Sequence, residues 1–199
     1  MIDQVSSLEE IMAHIWGTLA RGGADAKHAY HFPVFATVIA NEVKQRTLVL
    51  RDSNIQKRQL VSFTDIRTQK VRDIRANTNV NWLFYDHKSK EQIRASSIAT
   101  LHHMDEQSET YWRNIPPKNR GDYLGPHAPG SQLDHYAGNL PQDFLEKPTE
   151  KNTERGRENF CVIICEVNTI DFLKLMKDGH LRTLFTWKDN SWKKNWLAP

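Results

Sequence analysis

Sulfur and long apolar runs are what this sequence most lacks. Its 199 residues include two cysteines, Cys161 and Cys165, four apart in the run FCVIIC, where an even offset on a strand points both side chains to one face. Four strand residues span about 13 Å, beyond the reach of a disulfide, so both are expected to be small buried hydrophobes in a reducing compartment. No stretch of 18 apolar residues exists, and MIDQVSSLEEIM lacks the basic-then-apolar layout of a secretory leader, so a cytoplasmic protein with no membrane contact is expected. Charge of one sign is scarce too. A formal net charge of +3 and a pI near 8.8 are too weak to argue for nucleic acid, and cations and aromatics do not interleave on one strand, so no nucleic-acid partner is expected. Missing motifs remove further classes: there is no Gly-rich phosphate loop of either the P-loop or the dinucleotide type, no HExxH, no CxxC and no GxSxG. The nine histidines form no set with metal-ligand spacing. His102 and His103, adjacent on a strand, point opposite ways, and no metal is expected.

Aromatics, in contrast, are plentiful: six Trp and eight Phe suit a globular core, and the length suits a single domain over 1–199. Ser6 or Ser7 followed three residues later by Glu9 or Glu10 is a capping box. Leu8, Ile11, Met12, Ile15, Trp16 and Leu19 then recur at helical spacing, and Gly22 and Gly23 predict a helix end, giving a helix over about 7–21. The chain resumes extended after Pro33 in VFATVIANEV. RTLVLRD (46–52), QLVSFT (59–64), NVNWLFYD (79–86) and EQIRASSIATLHHM (91–104) read as strands, with QKVRDIRAN as a short helix among them. DEQSETYWRNI reads as a helix that stops before Pro116 and Pro117. A long irregular segment, about 116–157, holds Pro126, Pro129, Pro141 and Pro148. Its first half carries Tyr123, His127, Ser131, Gln132 and Tyr136 and suits a binding loop; its second half is charged enough to be expected mobile. Closing strands occupy 159–199. Six to eight short strands without βαβ alternation predict a mainly β, α+β architecture: an antiparallel barrel with helices outside.

Cations gather beside these strands. Arg46 and Arg51 bracket TLVL, Arg67 and Lys70 follow QLVSFT, and Gln92 opens EQIRASSIATLHHM. On an antiparallel sheet, neighbouring strand ends bring such residues together, with the Thr64 and Thr68 hydroxyls, around one anion, and a phosphate is the natural guest. The same residues would equally serve as solvated guards of a sheet edge.

The order of these motifs carries a resemblance. Arg46-Thr-Leu-Val-Leu-Arg51, then Phe63-Thr64 with Thr68-Gln69-Lys70, then Asn77 and NWLFYD, then Glu91-Gln92-Ile93-Arg94, then Tyr111-Trp112 and the ending SWKKNWLAP, resemble the pyridoxine/pyridoxamine 5'-phosphate oxidase family. The family has Arg-x-Val-Leu-Leu-Lys, Phe-Tyr-Thr-Asn running into Ser-Arg-Lys, a Phe-Trp strand, Arg-Gln-Val and Trp-Lys-x-x-Arg-Leu-x-Pro in the same order. The similarity runs from about residue 33 to 199. It implies a split β-barrel homodimer with FMN at the subunit interface. Carried over by position, Arg46, Thr64, Thr68 and Lys70 would hold the FMN phosphate and ribityl chain, and Arg51 and Gln92 would lie nearer the ring. Phe63 stands for a Tyr beside the flavin, Gln69 replaces a phosphate-binding Arg with Arg67 close by, and Ser131 matches the Ser of a Gln-Ser pair whose Gln is here Gly130.

On the substrate side the resemblance implies a Tyr, an Arg and a Ser at intervals of four that grip the substrate's phosphate; here they read Tyr111, Ile115 and Asn119. The family's Arg-Leu-His becomes His180-Leu181-Arg182, the two outer side chains exchanged. A Trp and an Arg that meet the flavin become Leu173 and Leu184. The implied activity is an FMN-dependent oxidoreductase acting on a small molecule, with His180 and Arg182 as candidate catalytic residues. Arg51, Tyr111, Asn119, His180 and Arg182 are candidate substrate contacts. The rival is a flavin-binding, storage or stress-associated protein without efficient oxidation of pyridoxamine phosphate.

Overall fold

A computed structural model describes residues 6–199; residues 1–5, the start of the stretch read as lacking a leader, lie outside the described residues. The first helix, α1 (Leu8–Ala24), begins with the capping box in its Ser7–Glu10 form: the Ser7 hydroxyl accepts from the Glu10 amide, and the Glu10 carboxylate accepts from the Ser7 amide. Two amides that the helix itself cannot satisfy are thereby bonded. Its buried stripe of Ile11, Ile15, Trp16 and Leu19 lies on the sheet, each side chain removing apolar surface worth about 1.5–3 kcal/mol. The helix runs past the expected end at Gly22. A Cβ on Gly22 would stand 2.9 Å from the Tyr30 Cβ, so this glycine permits close packing rather than a stop.

Nine antiparallel strands follow: β1 (Val34–Ile39), β2 (Glu42–Thr47), β3 (Asp52–Asn54), β4 (Gln59–Asp65), β5 (Asn79–Asp86), β6 (Glu91–His102), β7 (Phe160–Lys174), β8 (Leu181–Lys188) and β9 (Ser191–Leu197). The order is β2-β1-β5-β6-β7-β4-β3, with β8 and β9 added beside β7. Strand β7 makes the split. One edge pairs with β6; on the other, Phe160–Glu166 pairs with β4 and Thr169–Lys174 pairs with β8. The mainly β architecture with flanking helices agrees with the expectation, with one strand more than expected. That strand arises because RTLVLRD is not continuous. Strand β2 ends at Thr47, the Leu48 and Leu50 amides bond Pro33 and His31 carbonyls, and Arg51 then donates to Val61 as the chain changes partners and enters β3.

Alternate residues of β7 feed two cores. Ile163 and Cys165 point to the main core with α1, whereas Phe160 and Val162 point to a second core with Val61, Trp112 and Tyr123. Both cysteines are free and buried, and burial pushes their thiols up to about 12, which leaves them unreactive. Helix α2 (Gln69–Ala76) follows β4, and α3 (Glu106–Arg113), capped by Asp105, covers the second core.

The charged stretch after Pro141, expected to be mobile from its charge, carries short helices and ion pairs. It forms α4 (Gln142–Glu146) and α5 (Glu150–Thr153). Buried Arg120 donates to Glu150, Thr153 and the Ile115 and Trp112 carbonyls, Trp112 donates to Glu154, Arg155 pairs with Asp143 and Arg157 with Glu109. Among the described residues no helix is long and apolar enough to cross a membrane.

Candidate functional site

Where β4 runs out, its polar end meets the start of α2. The Lys70 ammonium donates to the Thr64 hydroxyl at 3.1 Å, and the Thr64 and Thr68 hydroxyls lie 3.3 Å apart. Thr68 is the N-cap of α2, yet its side chain gives no capping bond to the helix; it donates to the Asp65 carbonyl instead. The first amides of α2 are thus left without the partner a capping side chain would supply. These residues line a cavity of about 320 Å³ together with Phe32, Arg51, Phe63, Tyr123 and Pro129. That volume lies within the roughly 300–1,000 Å³ of small-molecule and cofactor sites.

The electrostatics of this end are unbalanced. Burial, and then the charge of Arg46, hold the Lys70 ammonium below the ordinary lysine range. Among the described residues no carboxylate lies within ion-pair distance of it. Arg46, on β2, is also held below its usual value by burial; it donates to the Thr37 hydroxyl at 2.8 Å and stands 3.6 Å from Asp73. Asp65 lines the cavity, but its carboxylate is gripped by Arg67 through both Nε and Nη2, the latter at 2.6 Å. This bonding raises the Arg67 guanidinium. What faces the cavity is therefore a desolvated cation, two hydroxyls and an uncapped helix start, a donor set that fits an anion such as a phosphate ester. Asp122 also lines the cavity, as an exposed side chain.

The sequence-predicted residues divide into two groups. Arg51, Phe63, Thr64, Thr68 and Lys70 come together on the cavity, with Arg46 behind Lys70. Arg51 lies over the Phe63 ring, its guanidinium carbon 5.5 Å from the centroid, and Tyr111 meets Phe63 edge-on, ring centroids 5.3 Å apart. Asn119 lines an adjoining cavity with Arg51 and Ile115. Gln69 and Arg67, expected near the phosphate, are engaged elsewhere. Gln69 donates to Asp73 and accepts from Arg72; Arg67 donates to Asp65 and the Gly125 carbonyl.

Gln92, Ser131, His180 and Arg182 lie off this cavity. Gln92 is opposite Leu173, which is opposite Arg182, so the three form a row across β6, β7 and β8 on the face away from the main core. Arg182 is tied bidentately to Asp171, which also holds Arg94; burial works against the Asp171 carboxylate, but the hydrogen bonds of Arg182 and Arg94 hold it below the usual carboxylate range. His180 stands in the turn before β8 and accepts from the Met176 amide, and the Ser131 hydroxyl donates to the Ala128 carbonyl. Sequence reasoning placed Tyr123 in a stretch that suits a binding loop, without a named role. The structure makes it a buried wall of the cavity, its hydroxyl pushed up by burial. The signal was there in DYLG, a large aromatic inside a Gly- and Pro-rich stretch.

Comparison with known proteins bears on the fold and on part of the sequence. Residues 13–103 match the family model described as the pyridoxamine 5'-phosphate oxidase FMN-binding domain. No curated protein matches the chain. Among solved structures, a pyridoxamine 5'-phosphate oxidase-related, FMN-binding protein from Nostoc punctiforme aligns over 99% of this chain and 100% of its own at 20% identity, with a TM-score of 0.75. PhzG from Burkholderia lata, solved with tetrahydrophenazine-1-carboxylic acid, covers 96% of this chain and 90% of its own at 16% identity and TM-score 0.65. A Clostridium acetobutylicum protein related to general stress protein 26 covers 91% and 96% at 9% identity and TM-score 0.55. At such identities the solved structures establish the fold, a split barrel, and not the activity. The chain thus matches the pyridoxamine 5'-phosphate oxidase FMN-binding domain over residues 13–103 and has the split-barrel fold of its structural neighbours.

Proposed function

We propose that this protein is an FMN-dependent oxidoreductase acting on a small molecule in a reducing, cytoplasmic setting that suits its free thiols. The observation that carries the proposal is the Lys70 ammonium, half-buried on a cofactor-sized cavity with hydroxyls around it and no carboxylate in ion-pair reach among the described residues. Lys70, Thr64 and Thr68 would hold the FMN phosphate, and Arg46 would add charge from behind. Bound FMN would supply the hydride chemistry. The chain's own part is to orient and shield. Phe63 and Tyr123 exclude water from the inner end of the cavity, and Arg51, stacked on Phe63, places a guanidinium donor at the wall where a flavin's polar edge would need one.

A homodimer with FMN at the interface accounts for the second group of residues. Gln92 and Arg182 lie on an outward sheet face that one chain leaves remote from its own cavity, and a second copy would bring such a face to it. In that arrangement Gln92 serves the ring, while Arg182, His180 and Ser131 complete the site from the partner.

A second reading, a flavin-binding or stress-associated protein without efficient oxidation of pyridoxamine phosphate, is favoured by Ile115. This buried apolar side chain cannot pair a phosphate, and the loss of one charged hydrogen bond costs about 1.5–3 kcal/mol, one to two decades of affinity. The visible spectrum of the purified protein, with identification of the released cofactor, tests both readings: flavin bands and FMN are expected, and a colourless protein that fails to take up FMN contradicts both. Oxygen consumption with pyridoxamine phosphate then separates them.

A further inference from the structure

A smaller cavity of about 150 Å³ is lined by the apolar or aromatic Phe63, Ile115, Pro116 and Tyr123 and by the polar Arg51, Asn114 and Asn119. It shares Phe63, Arg51 and Tyr123 with the larger cavity, so the two adjoin. Its size and walls are informative. A volume of this size suits one benzene-sized ring, and the three polar side chains beside the apolar ones suit a ring that carries a polar group. Ile115 and Tyr123, both buried, and Phe63 offer that ring apolar contact.

The charge at the border is equally specific. Among the described residues the Arg51 guanidinium makes no ion pair, and it is the one cation lining this cavity. A single guanidinium satisfies a carboxylate through two parallel hydrogen bonds. A phosphate dianion beside it would keep half its charge uncompensated. Lys118 lies beyond Arg51 on an outer cleft that also holds Asp122, so the net positive charge there steers anions toward the border without adding a second cation inside.

We propose that this cavity is the substrate subsite and that it selects a carboxylate carried on a single six-membered ring, the ring against Ile115 and the carboxylate on Arg51. The assignment as substrate rests on the flavin reading of the neighbouring cavity; binding of the ligand does not, and the test uses that difference. Isothermal titration of the protein as purified, with benzoate, phenyl phosphate and 2-naphthoate, reads ligand binding whatever cofactor is present. Benzoate is expected to bind at least tenfold more tightly than either of the others. Arg51→Met and Ile115→Phe, which remove the cation and fill the ring space, are each expected to weaken benzoate at least tenfold. The wild-type ligand series stands by itself should Ile115→Phe fold poorly. Absence of benzoate binding, tighter binding of phenyl phosphate or naphthoate, or a folded Ile115→Phe protein with unchanged benzoate affinity would overturn the proposal. A protein that binds benzoate in this pattern but takes up no FMN would keep the subsite and remove the flavin reading.

Discussion

Two cations, half-buried Lys70 and buried Arg120, have opposite surroundings. Arg120 is 2% exposed and fully engaged, with Glu150, Thr153, two backbone carbonyls and the face of Trp112, 4.6 Å from its guanidinium carbon. Lys70 has a threonine hydroxyl and no carboxylate in ion-pair reach. Desolvating a cation costs free energy unless partners compensate it. Where the protein supplies those partners, the cation is holding the fold; where it does not, the cation is held ready for a ligand. A pair of aligned positively charged letters in a sequence does not distinguish the two.

Substitutions at these sites should give different kinds of loss. Arg120→Ala strands the Ile115 and Trp112 carbonyls and frees the 141–158 stretch, for an expected cost of roughly 2–3 kcal/mol, a fall of about 4–12 °C in Tm for a chain of this size, read by thermal unfolding. A Tm within 1 °C or so of wild type would break the comparison from the structural side. Arg67→Ala should act on the ligand side at smaller scale. It leaves the buried Asp65 carboxylate, 4% exposed, uncompensated against the cavity, and FMN affinity is expected to fall about fivefold, near 1 kcal/mol, as measured by fluorescence titration of the apoprotein.

How much of this was legible in the sequence depends on what each residue needed to know. Periodicity placed α1, β4, β5 and β6 because their patterns follow from local burial. It failed at RTLVLRD, since Leu48 and Leu50 alternate like a strand while the backbone changes pairing partners beneath them, a long-range event with no local sign. It misjudged Gly22 for the same reason: the need for a glycine comes from Tyr30, packed on the helix from a later segment. Within the site, Thr64, Thr68 and Lys70 could be grouped because they fall within seven consecutive residues. That Arg67 and Gln69 would be spent on Asp65 and Asp73 could not, because carboxylates and cations in one short stretch admit several pairings. The apolar character of the Ile115 subsite was visible in one letter, but its volume was not.

Two finer tests sharpen the contrast at Lys70 itself. Its lowered folded-state value means that the unfolded chain binds more protons in the interval below the ordinary lysine value of about 10.4, so apoprotein stability should rise with pH there. FMN affinity should fall across the same interval as the ammonium is lost, and parallel trends would contradict the assignment. Removing the charge, in Lys70→Met, should leave the unfolding midpoint of the apoprotein unchanged or slightly raised, in contrast to Arg120→Ala.

The most direct measurement is the ratio of FMN to riboflavin affinity in the wild type and in Lys70→Met. The two ligands differ by the phosphate alone, so the ratio isolates the anion site from the rest of the cavity. If Lys70 holds the phosphate, the wild type should prefer FMN by more than tenfold and the variant should lose about 10- to 100-fold of that preference, the range expected for one charged hydrogen bond. An unchanged ratio in a folded Lys70→Met protein would contradict the account at its centre.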